Sequence, residues 1–391
     1  MGKIKIIVIA ACFFFTVLMH SLLIPFYPQF FDLVFGISDP MIAGGYLSSL
    51  CLCTIVCLPI WSKLSKRMGE VNVWLISRSI ACLLSFVCYF ISSIEWFWLI
   101  SLVMFGCRST FLLSCPFILK ASTNINKSSI VGLFVVLMYL GGICGAVMGG
   151  AILDYGSAST IFLWISLSEL LIICGYVLVK LKSHALVDSV LQTELRTQYP
   201  LTLFKLCLIS AVVCFSNFII QPFFTLYIHD VSENLTDLHA GLIFAIPAIA
   251  ALLIYSIQIF RVGNFSNKSL IFLGFFFAVI GMLLQTQSQL VCIIVGRCIY
   301  AWAIYQLFTR LEGFLFDQTS PEHFSQQYTI MVVGDRIGEV IASFCSALMV
   351  EYYGLVYPFY MSTIGFLVAG LLFYLLFHRN PINHQPLKAL P

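Results

Sequence analysis

The chain has 391 residues, of which 61% are hydrophobic and 9% are charged, and its formal net charge is +3. Soluble globular proteins carry roughly 25% charged residues, so this composition excludes a water-soluble fold. A spanning helix needs about 20 apolar residues, so the length allows around twelve such helices and leaves no room for a separate catalytic domain.

Apolar segments follow one another along the whole chain and predict twelve membrane spans. Lys3 and Lys5 precede the first segment, which is long and has no small-residue cleavage site after it, so we interpret it as a span and not as a signal peptide. The fifteen cysteines fall inside the predicted spans, which indicates apolar fillers rather than disulfides or a metal site. The twelve segments lie at 5–31, 41–61, 71–92, 96–119, 129–153, 158–180, 201–228, 239–260, 269–286, 289–311, 328–350 and 355–377.

The charged residues outside the spans separate by sign. With the N-terminus in the cytoplasm, sixteen of the 20 lysines and arginines fall on the cytoplasmic side, and none falls in the opposite loops. Those opposite loops hold acidic residues instead: Asp32, Asp39, Glu95, Asp154, Asp230, Glu233, Asp237 and Glu351. The positive-inside rule therefore predicts cytoplasmic termini, and we expect a bacterial inner membrane protein. The net charge then reflects topology and does not indicate nucleic acid.

Two similar halves make up the chain. The first predicted bundle covers 1–182, a polar cytoplasmic linker covers 183–199, the second bundle covers 200–378, and a cytoplasmic tail covers 379–391. Ile24-Pro25-Phe26 at the end of the first span corresponds to Gln221-Pro222-Phe223 at the end of the seventh. Gly106-Cys107-Arg108 in the fourth span likewise corresponds to Gly296-Arg297 in the tenth, which predicts related positions for the two arginines. Internal repetition of this kind is typical of transporters that hold a site between two related bundles.

A glycine pattern in the fifth span links the chain to a family. Gly141, Gly145 and Gly149 recur every four residues and share one helix face, and Gly150 follows directly. The run resembles the G-x-x-x-G-P-x-x-G-G motif of antiporters in the major facilitator superfamily, with Ala146 at the proline position.

The cytoplasmic loop after the second span resembles a second motif of that superfamily. It matches the G-x-x-x-D-R-x-G-R pattern at Arg67 and Gly69 and has Lys66 in place of the acidic residue. The resemblance implies an all-α integral membrane protein with twelve transmembrane helices in two pseudo-symmetric six-helix bundles.

Charged residues inside the predicted spans are the candidates for coupling. Each costs about 2.5–3.5 kcal/mol at a helix centre, so they must face one another or water. Asp335, Arg336 and Glu339 lie on one face of the eleventh span, where two carboxylates beside one guanidinium predict a proton-coupling site. The alternative is a static Arg336–Glu339 salt bridge with Asp335 bonded elsewhere. Glu169 is a further proton candidate, unless it pairs with Arg78 as a structural ion pair.

Polar and aromatic residues in other spans are the candidates for substrate binding. Arg297, and with it Arg108, would place guanidinium groups from the two halves on an anionic substrate, because the planar fork suits carboxylate or phosphate. Arg108 has a coupling or gating role as its alternative. The other candidates are His20, Asn217, Gln221, Tyr300 and Tyr305, all of which have packing within the core as the competing interpretation.

These features predict a transporter and not an enzyme, with no catalytic residue, cofactor or metal. We expect a proton-coupled exporter of a small organic compound, preferentially an anion such as a polycarboxylate or a carboxylate siderophore. The alternative is an importer of a nutrient or metal chelate. A membrane enzyme or receptor lacks a supporting motif. The expected partners are the substrate, protons and lipid, and the protein is expected to act as a monomer.

Overall fold

The computed structural model describes residues 3–113, 127–181, 201–260, 267–318 and 324–377. The predicted linker at 183–199 and the predicted tail at 379–391 lie outside these residues. Helices and short connections account for the described parts of the chain, which contain no strand.

Twelve helical segments, numbered α1 to α12, correspond in order to the twelve predicted spans, and two of them are broken into parts a and b. Their bounds are α1a (Lys3–Ser21) and α1b (Tyr27–Phe35), α2 (Pro40–Met68), α3 (Glu70–Phe90), α4 (Ile94–Arg108), α5 (Lys127–Tyr155), α6 (Thr160–Leu181), α7a (Leu201–Phe218) and α7b (Phe224–Val231), α8 (Asp237–Phe260), α9 (Asn267–Gln285), α10 (Leu290–Gln318), α11 (Phe324–Tyr353) and α12 (Tyr357–Phe377). Eight helices in the described chain are long and apolar enough to cross a membrane.

Several helices continue beyond their apolar segments. The second apolar segment ends near residue 61, but α2 runs on to Met68 and closes at Gly69. Gly69 has a φ of +81°, a backbone conformation that favours glycine, and its N–H donates to the carbonyl of Ser65. Hydrophobicity marks only the part of a helix that lies in lipid, so the apolar segment is shorter than the helix.

Proline interrupts α1 and α7 at matching positions. Ile24–Phe26 forms a single 3-10 turn around Pro25, and residues 219–223 form a turn around Pro222. Proline has no N–H to donate and displaces the preceding turn, which explains both breaks. The residues that restart the two helices also match, since Phe26 has φ −118° and ψ 7° and Phe223 has φ −114° and ψ 10°. The repetition seen in the sequence is thus a repetition of backbone conformation.

Each half has its own apolar core, and the two cores meet. One large cluster of buried side chains consists of residues from α7 to α12, whereas a second large cluster consists mainly of residues from α1 to α6. Phe223 and Ala347 of the second half are part of that second cluster. The observed architecture is the predicted fold of two six-helix bundles.

The bundles join at the end that carries the acidic loops, which we call the acidic end. Gln29 Nε2 donates to Thr225 Oγ1 at 2.6 Å, and that hydroxyl donates to the carbonyl of Pro25, so the two broken turns are bonded to each other. Between α2 and α11, Ser48 Oγ donates to the carbonyl of Val340 at 3.1 Å. A Cβ on Gly44 would overlap Ala347 of α11. This end is closed.

The glycine face of α5 packs closely against another helix, as its spacing predicts, and the structure identifies that helix as α1. A Cβ at Gly141 would lie 2.9 Å from Cγ1 of Val17, and one at Gly145 would lie 2.5 Å from the carbonyl oxygen of Leu18. A Cβ at Gly149 would overlap the carbonyl oxygen of Leu22. The pattern therefore permits close contact between two backbones of the same half, whereas Gly150 faces the backbone of α8.

Candidate functional site

Arg108 ends α4 and takes part in a buried cluster of three charges. Its Nε lies 2.9 Å from Oε1 of Glu169 on α6, and Nη1 of Arg78 on α3 lies 3.0 Å from the same oxygen. All three side chains are at most 4% exposed. Nη2 of Arg78 also donates to the carbonyl of Arg108 at 3.2 Å. One carboxylate thus serves two guanidinium groups, which leaves an excess positive charge.

Arg78 and Glu169 form the ion pair that the sequence offers as the alternative to a proton-coupling role for Glu169. Glu169 was a proton candidate only if it proved unpaired, and it is bound by both arginines. The sequence did not place Arg108 in this pair, because the contact joins three different spans and follows no local spacing. A coupling role for Glu169 would require both guanidinium groups to release it.

Arg108 also lines a small cavity inside the first bundle. The cavity has a volume of about 20 Å³, and its walls include Thr16 and His20 of α1 and Ser109 after α4. Nη2 of Arg108 is 3.5 Å from the carbonyl of Thr16, and Nη1 has no hydrogen-bond partner within the described residues. A volume of this size holds about one water molecule, whereas ligand pockets are typically about 300–1,000 Å³. The space is therefore closed to a substrate in this conformation.

His20 is half-buried and faces aromatic rings on one side of this cavity. Its ring centre lies 6.1 Å from those of Phe105 and Phe111. His20 and Arg108 therefore share one lining, as two of the predicted substrate residues. Thr16 shares it too, and sequence reasoning missed it, although it lies one helical turn before His20 on the same face.

Arg297 occupies a separate environment in the second bundle. Its guanidinium lies 4.1 Å from the ring centre of Phe224 and 5.5 Å from that of Phe244, and Nη2 donates to the carbonyl of Phe244 at 2.7 Å. Cation–π contact and one carbonyl replace a carboxylate partner here. Among the described residues, the side chains that contact Arg297 differ from those that contact Arg108.

The two arginines are not at equivalent positions, which corrects the sequence comparison. Arg108 is the last residue of α4, whereas Arg297 lies in the third turn of α10. Both helices start at the acidic end, so at 1.5 Å per residue the two residues differ by about 10 Å in depth. Short sequence matches such as Gly-x-Arg and Gly-Arg do not show how far along its helix an arginine lies, because the corresponding helices of the two halves begin at different distances before the match.

The charged face of α11 divides into an ion pair and a separate carboxylate. Nη1 of Arg336 lies 2.6 Å from Oε2 of Glu339, and their side chains are 26% and 13% exposed. Asp335 instead accepts a hydrogen bond from Ser210 Oγ of α7a at 2.5 Å. This is the arrangement of the alternative interpretation, in which Asp335 is bonded elsewhere. Glu339 also accepts a weak hydrogen bond from Cys51 Sγ of α2 at 3.8 Å, so the face touches both bundles.

Four further predicted substrate residues lie in the second bundle. Tyr300 donates its hydroxyl to Oδ1 of Asn217 at 2.5 Å, which joins α10 to α7a. Gln221 Nε2 donates to the carbonyl of Asn217 at 3.4 Å, next to the break in α7. Tyr305 is buried. The structure thus brings Asn217, Gln221 and Tyr300 together and does not link them to Arg108.

The cytoplasmic loop motif lies at the turn between α2 and α3. Arg67 is exposed in the last turn of α2, and Gly69 forms the turn itself. The side chain of Lys66 lies outside the part of the chain that the structure describes. The glycine of the motif has a clear local reason, which is its positive φ.

Comparison with known families agrees with this architecture. The model of the Major Facilitator Superfamily matches residues 9–204 and 206–391, one match for each half. The chain belongs to the major facilitator superfamily. It is therefore an integral membrane protein of a transporter family and fold, which are not those of enzymes. No curated protein matches the sequence.

Solved transporter structures share the fold at low sequence identity. The nucleoside transporter NupG is 13% identical, with a TM-score of 0.75 over 97% of this chain and 100% of that one. A bacterial homologue of the human lysosomal transporter Spinster, in an inward-facing and unoccupied conformation, is 12% identical, with a TM-score of 0.71 over 96% and 97%. The human organic anion transporter MFSD10 is 14% identical, with a TM-score of 0.70 over 95% and 100%. These similarities establish the fold alone.

Proposed function

We propose that the protein is a proton-coupled exporter that moves a small organic anion by alternating access between its two bundles. The excess positive charge around Arg108 is the observation that carries the substrate class. Two guanidinium groups share Glu169, and Nη1 of Arg108 is buried beside the small cavity without a hydrogen-bond partner in the described chain. A buried guanidinium in this condition favours a carboxylate or phosphate ligand.

The closed cavity supports a site that enlarges when the bundles separate. Thr16, His20 and Ser109 supply neutral polar groups next to the guanidinium, which suits a ligand with both anionic and hydrogen-bonding groups. A polycarboxylate, including a carboxylate siderophore, has this chemistry. The organic anion transporter among the structural neighbours shares only the fold, so the proposal depends on the residues of this chain.

Asp335 is our candidate for the coupling proton. Its partners include the Ser210 hydroxyl, which can donate to a carboxylate or accept from a carboxylic acid, and the Cys214 thiol. Glu339 differs, because it is held in an ion pair by Arg336. A carboxyl group with a hydroxyl partner changes its protonation without leaving a cation unpaired, and this favours Asp335 over Glu339 as the carrier.

The direction of transport has two candidates. The antiporter-type glycine pattern of α5 favours export. The changed loop motif at Lys66 supports the alternative, which is import of a nutrient or metal chelate. Inside-out vesicles with an acidic lumen should accumulate the substrate if the protein exports it, because protons leave the lumen as the substrate enters. Accumulation only in right-side-out vesicles would favour the importer.

The substrate class is tested by a screen of anions in proteoliposomes with an imposed pH gradient. We expect transport of an organic anion, and Arg108→Gln should raise its KM by about 10- to 100-fold, because the variant loses a charge-assisted hydrogen bond. Arg108→Lys should retain part of the affinity.

Asp335→Asn should abolish accumulation against a gradient, whereas Glu339→Gln should retain it.

Lys63→Gln is the control variant, because Lys63 is exposed in the last part of α2 and should not affect KM. Transport of a cation or neutral compound with unchanged KM in Arg108→Gln would contradict the anionic class. Normal accumulation by Asp335→Asn would contradict its role as proton carrier.

A further inference from the structure

A carboxylate of one bundle caps a helix of the other at the acidic end. Asp154, in the last turn of α5, accepts hydrogen bonds from the backbone N–H groups of Asp237 at 2.9 Å and Leu238 at 2.8 Å. These residues start α8, where N–H groups lack partners inside the helix and carry a partial positive charge. The bonds therefore join the bundles through charge as well as through contact.

Gly150 makes this approach possible. It lies one turn before Asp154, and a Cβ at this position would overlap the carbonyl oxygen of Asp237. A larger residue would push α8 away and lengthen both hydrogen bonds. Asp154 and Gly150 thus form one contact surface for the first turn of α8.

His229 supplies the positive charge of this contact. Its Nε2 lies 2.8 Å from Oδ1 of Asp237, and the two side chains are 29% and 17% exposed, so water reaches both. The side chain of Asp237 brings a second carboxylate close to Asp154. A protonated His229 balances this carboxylate, whereas a neutral His229 leaves two like charges at the same helix terminus.

The other charged groups nearby are few. Asp230 on α7b and Glu233 in the following connection are exposed, and His239 on α8 is bonded to the hydroxyl of Thr236. The broken turn Ile24–Phe26, which packs against α7b, has no charged residue. His229 is therefore the titrating cation in contact with Asp237.

We propose that Asp154, Asp237 and His229 form an acid-dependent latch that holds the two bundles closed at the acidic end. Protonation of His229 strengthens the attraction between the start of α8 and Asp154. Deprotonation restores repulsion between the two carboxylates, so the closed conformation loses stability. The latch is independent of the substrate and thus of the proposed function.

The pH range follows from the direction of the pKa shift. The hydrogen bond to Asp237, and the nearby charges of Asp237 and Asp154, raise the pKa of His229 above its ordinary value of 6.5. His229 lies beyond the seventh apolar segment, at the end of the helix. A raised pKa in the closed state means that its stabilisation is fully present below the ordinary value and is lost as the pH rises through the raised value.

The distance between the bundles at this end tests the latch. Nitroxide labels attached through p-acetylphenylalanine at the exposed positions Tyr155 and Asn234 leave all fifteen cysteines unchanged. Pulsed electron paramagnetic resonance on the full chain in lipid nanodiscs then gives the ratio of closed to open molecules. We expect a short distance to dominate at about pH 5.5 and to lose population at about pH 8.5.

Three variants separate the parts of the latch. Asp154→Asn should lower the closed-to-open ratio by about tenfold at acid pH, because it removes the charge from two hydrogen bonds. His229→Gln should keep a hydrogen bond to Asp237 and abolish the pH response. His239→Gln is the matched control and should retain that response. An unchanged ratio in Asp154→Asn, or an unchanged pH response in His229→Gln, would overturn the proposal.

Discussion

At the scale of single residues, the buried carboxylates have different partners and therefore different roles. Glu169 holds two arginines, Glu339 holds one, and Asp335 is bonded to a hydroxyl. The sequence predicts that these groups must find partners, because unpaired charge in lipid is costly. It does not predict which partner each group finds, because Glu169 and Arg108 are 61 residues apart in the chain and lie on different helices.

Glu169→Gln should strongly destabilise the first bundle. The change leaves Arg78 and Arg108 buried without their shared carboxylate, and removing one partner of a buried ion pair costs about 3–5 kcal/mol. The purified variant in detergent should melt well below the unchanged protein, as followed by fluorescence-detected size exclusion.

Glu95→Gln is the control for this prediction, because Glu95 is exposed at the start of α4 and bonded to Ser93. A surface change of this kind is usually within about 0.5 kcal/mol. Equal melting temperatures for Glu169→Gln and Glu95→Gln would contradict the role of the shared carboxylate.

At the scale of helices, small residues decide how closely the spans approach. The three glycines spaced by four along α5 face α1, while Gly142 on the same helix has no described neighbour within 4 Å of where a Cβ would lie. The spacing predicts that a bare face exists but not which helix covers it. The partner is α1, and the next glycine, Gly150, serves α8 of the other bundle.

Gly145→Ala and Gly142→Ala form a matched pair for this interface. The methyl group at position 145 would meet the carbonyl of Leu18 and Cβ of Ser21, so we expect a loss of about 1–3 kcal/mol from overpacking. At position 142 the methyl group has space, and alanine favours the helix over glycine by about 1 kcal/mol, so this variant should be neutral or stabilised. Thermal melting in detergent measures both. Equal destabilisation of the two variants would argue against a specific α1–α5 contact.

At the scale of the whole molecule, the charge distribution determines how the bundle sits in a membrane. The sequence predicts that the basic residues outside the spans fall at the end with the chain termini and that the acidic loops fall at the opposite end. Positive residues are retained in the cytoplasm during insertion, so the acidic end should lie outside. The latch would then sense the pH outside the cell.

Reporter fusions test this orientation in a bacterial host. Alkaline phosphatase fused after Gly156, at the acidic end, should be active because it is exported, whereas a fusion after Gly69 should be inactive. A cytoplasmic fluorescent reporter at the same two positions should give the reverse result. Activity of the Gly69 fusion would mean that the orientation is wrong.

The sequence by itself determined the membrane location, the twelve spans, the two related halves and the glycine face of α5, because each is carried by local composition or by a short repeat. Only the tertiary structure decided which charges meet, that Arg108 and Arg297 lie in separate environments, and that Asp154 caps α8. Those contacts join helices far apart in the chain. They depend on the depth and rotation of each helix. The packing of all twelve helices determines both, and hydrophobic periodicity does not encode them.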